Sequence, residues 1–129
     1  YRVQEERFRR TGVLTAVSED HVDQSPYFVY NTIFTNGKSW NTLTEKGEDA
    51  SVLRSLSVKA AFGWHALYRS EYTSQLVQEV SNLYHPSSGW YSGIYEDGKI
   101  PNKSINANTN AVILESLGYI AHGKLLSYQ

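Results

Sequence analysis

Cysteine is absent from this 129-residue chain. That excludes disulfides and thiolate metal sites, and it leaves the redox compartment unread. Methionine is absent too, even at position 1. A chain opening Tyr1-Arg2-Val3 is therefore expected to be a processed product or a piece of something longer, with any targeting segment removed or upstream. Neither sign of charge dominates: 12 basic groups against 13 acidic ones give a formal net charge of −1. Nucleic acid is not expected as a partner, because its electrostatic footprint is a basic excess. No apolar run approaches the ~20 residues of a membrane span, and no signal-peptide apolar region is present. The length suits one domain over residues 1–129 and excludes a self-contained two-domain enzyme.

Rings and neutral hydrogen-bonding groups fill the space left by charge. Aromatic residues reach 13% with ten Tyr and three Trp, while charged residues stand at 19%, below the usual ~25%. Ser, Thr and Asn together contribute 31 residues. This composition suits a sugar-lined cleft and equally a Tyr-rich helical core.

Residues 1–10 read as a polar helix, in which Arg2, Arg7, Arg9 and Arg10 are diluted by Glu5 and Glu6 at helical pairing distance. Residues 18–23 pack Glu19, Asp20 and Asp23 beside His21. Residues 27–35, rich in β-branched and aromatic side chains, are a strand or a buried short helix. Asn36-Gly37 marks a turn. Asp49 is read as an N-cap, followed by Leu53, Leu56, Ala60, Trp64 and Leu67 at helical spacing. Ser70 caps a second helix striped by Tyr72, Leu76, Val80 and Leu83. With only Arg69 and Ser70 between them, the two helices form an αα-hairpin. Residues 85–106 form a long connection in which Asp97-Gly98 turns a short hairpin. A third helix begins near Asn108 or Asn110 and stops at Gly123.

No phosphate loop, dinucleotide fingerprint, HExxH motif or nucleophile elbow occurs. His21, His65, His85 and His122 include no i,i+4 pair, so no zinc site is read from them. A calcium site at Glu19, Asp20 and Asp23 lacks the EF-hand glycine. No metal or other cofactor is expected. Carboxylates near aromatic rings remain, and glycosidic bond cleavage needs such carboxylates in pairs. The candidates are Glu19-Asp20, Glu48-Asp49 and Glu96-Asp97. Helix capping accounts for the second pair and turn chemistry competes for the third. Trp64-His65 lies mid-helix, where core packing is the simpler role. Trp90-Tyr91 lies in a glycine-flanked loop suited to a ligand platform.

Five ordered stretches carry a resemblance: Ser18-Glu19-Asp20-His21, residues 26–31, residues 56–68, residues 89–96 and residues 106–117. Together they resemble the C-terminal part of a bacterial envelope family catalogued as a domain of unknown function, DUF3131. That family is similar to glucoamylase-like (α/α) toroids. The resemblance implies a periplasmic or cell-envelope setting and carbohydrate chemistry. It also implies that further helix pairs would lie N-terminal to this chain.

The expected fold is accordingly mainly α, with αα-hairpins forming part of an incomplete (α/α) toroid and short strands in the long loops. The expected function is that of a glycoside hydrolase-like domain acting on or binding a bacterial exopolysaccharide. The alternative is a non-catalytic polysaccharide-binding or scaffold module of an envelope assembly. Asp20 and Glu96 are the candidate carboxylate pair, with Glu19 as substitute. Trp64, Trp90, Tyr91 and Tyr95 are candidate stacking platforms, His65 is a further candidate substrate-binding residue, and Asn108 and Asn110 would bond sugar hydroxyls. The expected partners are a polysaccharide or oligosaccharide, together with the missing N-terminal part or another copy of the chain.

Overall fold

Ion pairing between Glu6 and both Arg9 and Arg10 supports the first helix, α1 (Arg2–Thr11), which closes at Gly12. The computed structural model describes residues 1–126. After α1 the chain turns extended. Strands β1 (Glu19–His21) and β2 (Phe28–Asn31) pair antiparallel with Asp20 opposite Val29. The strand alternative for residues 27–35 thus holds. Asn36-Gly37 joins β3 (Phe34–Thr35) to β4 (Lys38–Ser39), and β5 (Thr42–Leu43) adds to the far edge of β2.

Asp49 does not begin a helix. It bridges to Leu43, and Ser51–Leu53 form a single 3-10 turn. The chain then runs as β6 (Ser55–Ser57) directly into α2 (Val58–Tyr68). Leu53 and Leu56 therefore precede the helix. Backbone partners far along the chain overrode the helical spacing, because β6 pairs with β9 (Gly93–Tyr95). Arg69 ends α2 in the left-handed conformation, φ 44°. Ser70 then caps α3 (Glu71–Val80): its hydroxyl accepts from the Thr73 amide, and Thr73 Oγ1 accepts from the Ser70 amide. This reciprocal arrangement satisfies two otherwise orphaned N–H groups. The αα-hairpin is as expected, although α3 stops at Val80, short of Leu83.

Beyond α3, β7 (Tyr84–His85) and β8 (Gly89–Trp90) form one hairpin, while β9 and β10 (Pro101–Asn102) form another around Asp97-Gly98. Asn106 caps α4 (Ala107–His122) by accepting from the Thr109 amide at 2.8 Å. One core joins α2, α3 and α4 through Leu56, Val58, Phe62, Leu76, Val80 and Ile113. A second, beneath the strands, holds Val22, Val29, Ala50, Leu53 and Tyr95.

The fold is mixed α and β, which corrects the expectation of a mainly α chain built as part of an incomplete (α/α) toroid. Among the described residues, four helices stand beside ten short strands in four antiparallel sheets. The segments read as loops hold Thr, Asn and Ser residues whose backbone groups pair in these ladders. No described helix is long and apolar enough to cross a membrane.

Candidate functional site

A groove of about 330 Å³ runs between α2 and the start of α4, with the approach to β1 along one side. Successive strand residues point to opposite faces, and this separates the two carboxylates of the acidic knot. Glu19 faces the groove with its side chain 52% exposed, whereas Asp20 turns inward and is 1% exposed. Lys59, in the first turn of α2, bonds Glu19 and acts on Asp20 through its charge. It is only 7% exposed, yet its ammonium donates to Asn108 Oδ1 at 2.9 Å and reaches Glu19 Oε1 at 3.4 Å. Trp64, one turn and a residue further along α2, lines the same groove beside the exposed Leu67.

Charge is unevenly distributed over this constellation. Asp20 Oδ1 accepts from the Ser57 hydroxyl at 3.0 Å, while Oδ2 has no hydrogen-bond partner. Burial pushes its pKa up to about 8, against the opposing pull of Lys59 and Ser57. Asp20 is therefore largely neutral at pH 7. Partial burial also tends to raise Glu19. Its own backbone amide, the Lys59 charge and the Ser18 hydroxyl outweigh that and hold it below the usual carboxylate range. The groove thus presents an ionised carboxylate, an ammonium and an amide carbonyl beside an indole.

The structure brings Glu19, Asp20, Trp64 and Asn108 into one neighbourhood, and it places the other candidates elsewhere. Glu96 is held by Arg7 through two bonds, Nη1 to Oε1 at 2.5 Å and Nη2 to Oε2 at 3.0 Å, with Arg54 behind at 3.9 Å. Its amide bonds to the Arg54 carbonyl, whereas Ser57, the partner of Asp20, stands opposite Gly93. The Glu96 backbone thus pairs just before β6, while the Asp20 carboxyl is held at the far end of that strand by Ser57. Tyr95 is 5% exposed, and its hydroxyl donates to Asp23 Oδ1 at 2.6 Å. Burial first, and that carboxylate second, raise its pKa to about 12.

Trp90 packs edge-on against Phe62, and its amide donates to Asn110 Oδ1 at 3.0 Å. Asn110 is therefore occupied with backbone, not open to a ligand. Gly89 is required there, since at φ 101° a Cβ would collide with the Asn110 carboxamide. Tyr91 is half-buried and bonds through its amide to the Leu83 carbonyl. His65 Nδ1 meets Thr73 Oγ1 at 3.1 Å, inside the helical hairpin. Asp23 is committed to Tyr95 and to the Lys103 amide. No three His, Asp or Glu side chains converge as a metal site would need, among the described residues.

Lys59 and Ser57 are the residues that reading the sequence missed. The available signal was a lone lysine in the otherwise apolar run from Val58 to Trp64. A cation at such a position must find partners or shift its charge state.

Residues 1–123 match the model of a family described as a protein of unknown function, DUF3131. No curated protein and no solved structure matches the chain.

Proposed function

The chain belongs to the DUF3131 family, and from that footing we propose that it binds a bacterial polysaccharide in the periplasm or cell envelope through the Trp64 groove. One observation carries this reading. The buried Lys59 ammonium fixes Glu19 and Asn108 in place beside an indole, within a groove of about 330 Å³. An aromatic ring suits the C–H side of a pyranose, and fixed polar groups suit its hydroxyls. Such a mostly apolar site with a few placed polar groups is how small-molecule sites are generally built.

Binding is favoured over cleavage because glycosidases flank the scissile bond with two carboxyl groups ~5–9.5 Å apart. Here Glu96 is ion-paired to Arg7, and Asp20 lies behind its own strand. Hydrolysis is the second reading, and a different observation favours it. Asp20 and Glu19 hold opposite protonation states at pH 7, as an acid and its partner carboxylate must.

Calorimetric titration with oligosaccharides from a panel of bacterial exopolysaccharides, run beside a reducing-sugar assay, tests both. Binding without sugar release is expected. Trp64→Ala should weaken it about tenfold, which corresponds to ~1.4 kcal/mol, and Lys59→Met should weaken it too. Sugar release that Asp20→Asn abolishes would establish the hydrolytic reading instead. If the wild type binds no member of the panel, the carbohydrate reading fails.

A further inference from the structure

A cleft of about 550 Å³ lies away from the groove, between α1 and Trp40. Its helical wall is one continuous face of α1, which presents Arg2, Arg7 and Arg10 against the single carboxylate Glu6. Glu6 is already engaged by both Arg9 and Arg10. Arg2 has no acidic partner among the described residues. Behind the cleft, Arg7 and Arg54 share one carboxylate, Glu96, and Arg54 Nε has no hydrogen-bond partner. Counted together, Arg2, Arg7, Arg10 and Arg54 thus meet only two carboxylates, Glu6 and Glu96, in a chain whose net charge is −1.

Trp40 forms the opposite wall in an unusual conformation. Its φ of 56° is left-handed, a state that bulky residues seldom adopt. Its amide is fixed on the Ile33 carbonyl at 2.7 Å, and the Arg7 guanidinium lies 5.0 Å from its ring centroid. Backbone strain of this kind persists where surrounding structure imposes it, and it concentrates at ligand sites. The ring is thus held over the cleft by the same arginine that Glu96 anchors.

We propose that this cleft is a second binding site, which takes an anionic sugar unit. The anionic group would bond Arg2 and Arg10, while the sugar ring would lie along Trp40 and the aliphatic part of Val3. Guanidinium groups suit carboxylate and phosphate alike, since both accept paired N–H donors. The site is independent of the Trp64 groove, which shares no lining residue with it.

The three tryptophan indole N–H groups give three separate reporters in a ¹H–¹⁵N spectrum of the full chain. Glucuronate-containing disaccharide, glucose 1-phosphate, a neutral disaccharide, inorganic phosphate and AMP are titrated in turn. One or both of the acidic sugars should shift the Trp40 indole resonance, and comparison of the two identifies the preferred anion. The neutral disaccharide should leave that resonance in place. Arg2→Ala combined with Arg10→Ala should weaken the response about tenfold or more, the loss expected for hydrogen bonds to charged groups. Both arginines are exposed, so this variant keeps the fold, and Trp40→Phe, which lacks the indole N–H, identifies which of the three resonances belongs to Trp40. The proposal is overturned if neither acidic sugar moves the Trp40 resonance, or if the arginine variant responds as the wild type does. Equal or tighter binding of phosphate or AMP would overturn the sugar assignment.

Discussion

Arg7 and Glu96 stand 89 residues apart in sequence and meet through two parallel hydrogen bonds, at 2.5 and 3.0 Å. The pair ties α1 to the end of β9, and Thr15 Oγ1 accepts a further bond from Arg7 Nη1 at 2.7 Å. Both side chains are largely shielded, with 12% and 17% exposure. Removing one partner leaves the other charge poorly solvated, which costs more than the pair itself contributes. Arg7→Ala is expected to cost about 3 kcal/mol in urea unfolding, at the lower edge of the range for broken buried pairs. The Arg7→Ala/Glu96→Ala double variant should lose less than the sum of its two singles. Additive losses would mean that the two groups do not interact.

Leu56 tests where the strand-to-helix junction sits. It is buried in the helical core although its backbone pairs with Ile94 in the sheet. Leu56→Ala should cost roughly 2–5 kcal/mol, the range for truncating a buried leucine. A loss under about half a kcal/mol by denaturant titration, as for an ordinary surface change, would place this side chain outside the core.

Asn110 is expected to act as a clamp on the β7–β8 hairpin. Its carboxamide accepts from the Trp90 amide at 3.0 Å and donates to the Asn106 carbonyl at 3.0 Å. Asn110→Ala should cost about 1–3 kcal/mol, as loss of a partner from a buried donor generally does. Amide exchange at Trp90 should quicken with it. Unchanged protection at Trp90 would show that the hairpin holds without the clamp.

Local signals made the helical hairpin legible. Arg69 and Ser70 leave no room for anything but an antiparallel return, and Leu76 and Val80 share one core as their spacing suggests, joined there by Leu56 from the strand before α2. Leu53 belongs to the other core, because a three-residue step fits a helix turn and a turn-plus-strand equally well. Alternation was also hidden: Ser55, Leu56 and Ser57 are all buried, and so are Gly93, Ile94 and Tyr95. Nothing in the sequence near β6 announces its partner strand, which comes some forty residues later. The acidic knot stands out in the sequence, whereas Lys59, which bonds Glu19, sits in a stretch whose pattern is that of an apolar helix. Glu96 looked free because Arg7, the residue that holds it, is distant in sequence.

Asp20 makes the stability of the fold depend on pH in a definite direction. Its pKa stands at about 8 in the folded chain, raised chiefly by burial from an ordinary value of 3.8. The folded state therefore keeps a proton that the unfolded state gives up. Asp20 contributes its full share to stability below about pH 4, and that share declines as pH rises toward 8. For one proton the decline amounts to at most about 1.4 kcal/mol per pH unit. Asp20→Asn removes the titration but keeps an oxygen to accept from Ser57, and its amide supplies a donor where Oδ2 is now unpaired. Urea midpoints at a series of pH values from 5 to 8 should fall for the wild type and stay nearly level for Asp20→Asn. A parallel decline in both proteins would have to come from another group. Such a result would mean that Asp20 is ionised and solvated, with Lys59 as its counter-ion and the groove open to it.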